Sequence, residues 1–137
     1  MAYRFKIDKE VNCTFVQHFD NFENGEDMMQ LRELLQHPDF QPNLNLLRDL
    51  STFTFPEHYN LDTFRENVNN SMPRSDGALG TGRSVAWVLS TANDFKIIHQ
   101  WAAISRLNVK VVERHPFRDV SAAKKWLKIP ESYEIVY

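Results

Sequence analysis

The sequence predicts an α/β fold on a mixed, mainly parallel five-stranded sheet, and three observations predict it. Two short β-branched and aromatic segments near the start, separated only by a polar break, form a hairpin. After them, extended apolar segments alternate with segments whose apolar residues recur at helical spacing, the pattern of strand–helix–strand units. One segment, Arg83 to Ser90, is apolar almost throughout, as a parallel strand covered on both faces is. The chain of 137 residues, 42% hydrophobic and 25% charged, is long enough for one sizeable core, so a single domain over 1–137 is expected.

The elements follow in order. Tyr3 to Ile7 alternates polar and apolar residues and is the first strand; Asp8-Lys9-Glu10 is the break and Val11 to Phe19 the second strand. Asn24-Gly25-Glu26-Asp27 opens a helix, with Asn24 as its cap and Met28, Leu31, Leu34 and Leu35 on its inner face, and Pro38 ends it. Leu44 to Leu50 is the third strand, followed by an aromatic-rich loop, Ser51 to Asn60. Asn60 or Asp62 caps a second helix carrying Leu61, Phe64 and Val68. Asn69 to Gly82 holds Pro73 and three of the four glycines and reads as a flexible loop.

The apolar strand Arg83–Ser90 comes next, and Thr91 or Asn93 caps a third helix with Phe95, Ile98, Trp101, Ala102 and Ser105 along one face. Asn108 to Glu113 is the expected fifth strand. Asp119 or Ser121 starts a fourth helix that carries Val120, Ala123, Trp126 and Leu127 inward, and Pro130 closes it. Residues 131–137 form a tail whose Tyr133 to Tyr137 has strand propensity but no evident place in the sheet.

Composition excludes several functions. The net charge is −2 and the pI is about 6.2, without the basic excess that phosphate neutralisation demands, so no nucleic-acid partner is expected. Cys13 is the one cysteine, which rules out an internal disulfide or a thiol-based zinc site and fits a reducing compartment. The start, Met1-Ala2-Tyr3-Arg4-Phe5-Lys6, lacks the apolar run of a signal peptide. The longest apolar run, Val85 to Leu89, is far short of the ~20 residues of a spanning helix. A cytoplasmic protein with no membrane partner is expected.

Chemical motifs are weak. The glycine-rich stretch Asp76 to Arg83 enters a strand, whereas a phosphate cradle leaves a strand and opens a helix. His18, His37, His58, His99 and His115 contain no pair at helical metal-ligand spacing, so no metal and no cofactor is expected. Ser90, His115 and Asp119 or Asp49 could be assembled into a hydrolytic triad, but no G-x-S-x-G turn exposes a serine. In open α/β sheets ligands bind beyond the carboxyl ends of the strands. The candidates on that rim are Asp49, Ser51, Thr52, Ser90, Thr91, Asn93, Arg114 and His115; Thr91 and Asn93, like Asp119, read more simply as helix caps.

The stretch Asp49-Leu50-Ser51-Thr52-Phe53-Thr54-Phe55 resembles the strand end of STAS domains, the anti-sigma-factor antagonists. Where those domains place Asp-Ser-Ser-Gly, with a phosphorylated serine, this sequence has Glu57-His58-Tyr59-Asn60, and Tyr59 stands near the switch position. His37-Pro38-Asp39-Phe40, Asp49-Leu50, Gly82 to Val88 and Ala123-Lys124-Lys125-Trp126-Leu127 together resemble the bacterial SpoIIAA-like or STAS-like proteins over roughly Val11 to Leu127. The resemblance implies a STAS-like fold with about four helices. It also implies a non-catalytic regulatory or protein-interaction module without the kinase switch. The alternative is a small-ligand-binding or enzymatic domain that uses the rim. A protein partner and a homodimer joined at the tail or the hairpin edge are further expectations, because exposed edges and loose apolar tails tend to be paired.

Overall fold

A computed structural model describes residues 3–19, 26–69, 72–105 and 112–137. Five strands form one sheet: β1 (Tyr3–Asp8), β2 (Cys13–His18), β3 (Asn45–Leu50), β4 (Ser84–Leu89) and β5 (Glu113–Phe117). Five α-helices accompany them: α1 (Glu26–Gln36), α2 (Leu61–Asn69), α3 (Met72–Leu79), α4 (Ala92–Ser105) and α5 (Val120–Trp126).

β1 and β2 pair antiparallel through a tight connection. Asp8 Oδ1 accepts from the Glu10 amide at 3.0 Å, one 3-10 turn follows, and Asn12 takes a left-handed conformation to enter β2. The remaining pairings are parallel, and the strands lie in chain order, β1-β2-β3-β4-β5. Right-handed crossovers that all step the same way place their helices on one face. The packing agrees. Leu34 of α1 meets Ile7 and Leu44, while Phe64 of α2 and Ile97, Ile98 and Trp101 of α4 meet Val16, Leu46, Leu50, Val85, Trp87 and Leu89. Edge-to-face contacts join Phe64, Trp87 and Trp101 at centroid distances of 5.1 to 5.9 Å.

The second face is covered differently. Cys13, Phe15, Leu47, Ala86 and Val88 lie under Ala123 of α5 and under Leu127, Ile129, Tyr133, Ile135 and Tyr137 of the closing segment. Tyr133 stacks on Phe15 at 5.6 Å, its hydroxyl donates to Asp8 Oδ2 at 2.6 Å, and Lys124 Nζ donates to the carbonyls of Glu131 and Tyr133. The tail therefore has a place after all, across the sheet face and not along its edge. Arg4 and Lys6 of β1 lie over the rings of Tyr137 and Tyr133 at 5.4 and 5.7 Å.

Two elements differ from the sequence reading. The expected loop 69–82 contains α3, with Pro73 in its first turn, where a missing N–H is harmless, and Gly80 ending it at φ 99°. The described residues thus hold five α-helices where about four were expected. The fifth strand is Glu113–Phe117, not Asn108–Glu113, of which 108–111 lie outside the described residues. Asn24, the expected cap of α1, also lies outside them.

Candidate functional site

The carboxyl ends of β3 and β4 meet the loop 51–60, and the polar side chains there bond to their own protein. Asp49 Oδ1 accepts from the Ser51 amide at 2.9 Å and from Ser51 Oγ at 2.5 Å. Thr52 Oγ1 donates to the His18 carbonyl at 3.3 Å, which ties the loop to the end of β2. Ser90 Oγ donates to the Phe53 carbonyl at 2.5 Å and lies 3.2 Å from Thr54 Oγ1. Thr91 Oγ1 accepts from the Asp94 amide at 3.1 Å and is the cap of α4, while Asn93 is exposed in the first turn of that helix. Buried Asp94 accepts from the Phe55 amide at 3.0 Å, so two aromatic anchors, Phe53 and Phe55, hold the loop down over α4.

Six of the eight rim candidates, Asp49, Ser51, Thr52, Ser90, Thr91 and Asn93, are thus brought to one end of the sheet. Arg114 and His115 are not. Because β5 starts later than the sequence suggested, Arg114 lies near its amino end and His115 at its middle. Arg114 points into the first face, where its guanidinium donates to both carboxylate oxygens of Asp76 at 2.5 and 2.7 Å and lies 5.1 Å from the Trp101 ring. His115 faces the other side of the sheet and stacks on Trp126 at 5.6 Å. The triad of Ser90, His115 and Asp119 is not assembled: Ser90 is bound to Phe53, and Asp119 caps α5 by accepting from the Ala122 amide at 2.7 Å.

Among the described residues, the topology supplies no switch-point crevice at the rim. A ligand crevice opens where the strand order reverses and neighbouring crossovers leave on opposite faces. Strands in chain order have no such reversal. The rim is a surface: Ser51, Thr52, Thr54, Glu57 and His58 are exposed on it. Tyr59, near the position of the STAS phosphoserine, is half-buried, stacks on Phe55 at 5.0 Å and accepts from the Asn67 amide, and burial raises its pKa.

Two polar clusters escaped the sequence reading. Arg48 Nη1 lies 3.3 Å from His18 Nε2 and donates to Gln30 Oε1 at 2.8 Å, with its guanidinium 5.4 Å from the Trp87 ring. Burial, with Arg48 alongside, pushes His18 down to about 3, so its imidazole is neutral at pH 7. An arginine in the middle of the Leu44–Leu50 strand was a visible signal for this cluster. The second is the Arg83–Asp76–Arg114 node, with Arg83 Nη2 3.0 Å from Asp76 Oδ1. It had no signal once its Asp76 was assigned to a loop.

Among the described residues no three His, Cys, Asp or Glu gather as metal ligands, and no helix is long and apolar enough to cross a membrane. No family model, curated protein or solved structure matches the chain. The molecule is thus defined by its geometry: an α/β sheet in chain order, with an internally bonded rim at its carboxyl end.

Proposed function

We propose that this chain is a non-catalytic regulatory or protein-interaction module of the STAS-like kind, with its working surface on the rim formed by residues 51–58. One observation carries the reading. The rim's polar groups are committed to caps and loop contacts beneath an exposed surface at 51–58, an arrangement that suits a protein partner better than a small substrate. Control by phosphorylation at the usual position is not part of the reading, because Tyr59 is held against Phe55 and Asn67. The module is read as bacterial on the same resemblance, and as cytoplasmic on the sequence features given above.

Quantitative capture from the native host with the intact chain and with Thr54→Arg tests this. A protein enriched by the first and lost with the second supports the reading. A small metabolite that raises the unfolding temperature saturably, with no rim-dependent protein, would replace it with the ligand-binding alternative.

A further inference from the structure

The two edges of the sheet are not alike. At one edge β5 is short and carries Pro116, which has no N–H to offer an added strand. At the other edge β1 pairs with β2 along all six of its residues, Tyr3–Asp8, without a bulge, and among the described residues nothing pairs with its outer side. Edges of this kind are commonly guarded by a proline, a bulge or an outreaching charge. β1 has no proline, and its two cations lean back over their own sheet. Arg4 Nε donates to Gln17 Oε1 of β2 at 2.7 Å, and Lys6 Nζ lies over the Tyr133 ring, which itself stacks on Phe15 of β2. A straight strand left open in this way offers a row of amides and carbonyls to an added strand.

The side chains of β1 suit a second copy of itself. Arg4, Lys6 and Asp8 lie on the second face, with Tyr133 and Tyr137, while Tyr3, Phe5 and Ile7 lie on the first. We propose that the chain forms a twofold dimer in which β1 pairs antiparallel with β1 of the partner subunit, the axis standing perpendicular to the sheet at Lys6. That register sets Arg4 opposite Asp8 of the partner subunit, and Asp8 opposite Arg4 of the partner subunit, so two opposite-charge pairs form on the second face. On the first face it sets Phe5 opposite Ile7 twice. Arg4 is exposed, and among the described residues no acceptor meets its terminal nitrogens, which are left for this contact. Lys6 meets its own copy at the axis, and its lean toward Tyr133 draws the two ammoniums apart. A twofold at Phe5 would instead set Arg4 against Lys6 twice, and one at Ile7 would leave Tyr3, Phe5 and Arg4 without partners in the strand. Because Pro116 closes the β5 edge, the contact joins like edges and stops at two subunits, where β1 added to β5 would run on as a fibre. It uses none of the rim residues 51–58 and stands apart from the reading of that surface.

Sedimentation of the intact chain across the micromolar range should show a monomer–dimer equilibrium. Arg4→Glu turns both opposite-charge pairs into like pairs, and it should raise the dissociation constant about tenfold. Lys6→Cys places two thiols across the axis, at the separation that a disulfide spans, so oxidation should convert that variant to a covalent dimer. Cys13 is buried, so the unsubstituted chain should stay uncross-linked on a denaturing gel after the same oxidation. Circular dichroism checks that both variants, at side chains outside the buried core, keep the fold. A monomer throughout the range, a dimer indifferent to Arg4→Glu, or a dimer that Lys6→Cys leaves uncross-linked would each overturn the pairing.

Discussion

His18 enters the core as a neutral imidazole, and that choice has a pH signature. In the unfolded chain it gains its proton near pH 6.5, whereas in the folded chain the proton is refused until about pH 3. Between those values the unfolded state binds more protons, so stability falls as pH falls through the window from 6.5 downward. The expected loss from this residue is about 2 kcal/mol between pH 7 and pH 5. Urea unfolding across that range measures it, and His18→Gln should flatten the slope. Trp87 is a second residue with a sharp expectation. It is buried between Phe64, Trp101 and Arg48, and Trp87→Ala should cost about 3–5 kcal/mol. A loss below ~1 kcal/mol would contradict that packing.

Elements were legible where pattern and chemistry agreed. The strand Ser84–Leu89 could hardly be misread, since every residue from Val85 on is buried. The caps were legible in kind: Asn60, Thr91 and Asp119 were each one of two candidates, and each accepts the expected amide. β5 was misplaced because its sequence, Glu-Arg-His-Pro-Phe, has poor strand propensity, while the valines before it have good propensity. Proline is tolerated there because β5 is an edge strand. α3 was missed because Pro73 and Gly77 look like loop residues, and its support comes from distant partners of Asp76 that no local pattern shows. Six of the eight rim residues do gather at the ends of β3 and β4, yet the absence of a switch point depends on strand order, which a linear sequence does not display.

Gly80 joins these elements. At φ 99° it ends α3, and a Cβ there would collide with the Asn43 side chain, which accepts from the Gly82 amide at 2.9 Å. Gly80→Ala should therefore destabilise by about 2 kcal/mol or more, by the left-handed penalty plus the displaced asparagine. Chemical denaturation measures the loss. An unchanged midpoint would mean that the turn has another conformation. The closing segment 131–137 invites a similar test. Its half-buried Tyr133, Ile135 and Tyr137 should contribute about 3 kcal/mol in total. A chain ending at Pro130 should unfold correspondingly earlier.

At the scale of the whole molecule, that docking changes the expectation for self-association. The tail lies on its own sheet, so a homodimer joined through the tail loses its motive, and the outer edge of β1 becomes the candidate surface. Sedimentation at micromolar concentration should give the same association state with and without 131–137. A dimer that dissociates only on truncation would return the contact to the tail. The strand order has a consequence in time as well as in space. Each strand pairs with the one before it, so every β–β contact is available as soon as the newer strand leaves the ribosome. The growing sheet could thus add one ribbon at a time, with its first face thatched by each crossover helix in turn. Its second face stays bare until α5 and the closing segment arrive. The bond from Tyr133 to Asp8, 125 residues apart, then works as a latch that reaches the oldest strand last. Nascent chains stalled before α5 should accordingly be the ones that chaperones and proteases recognise.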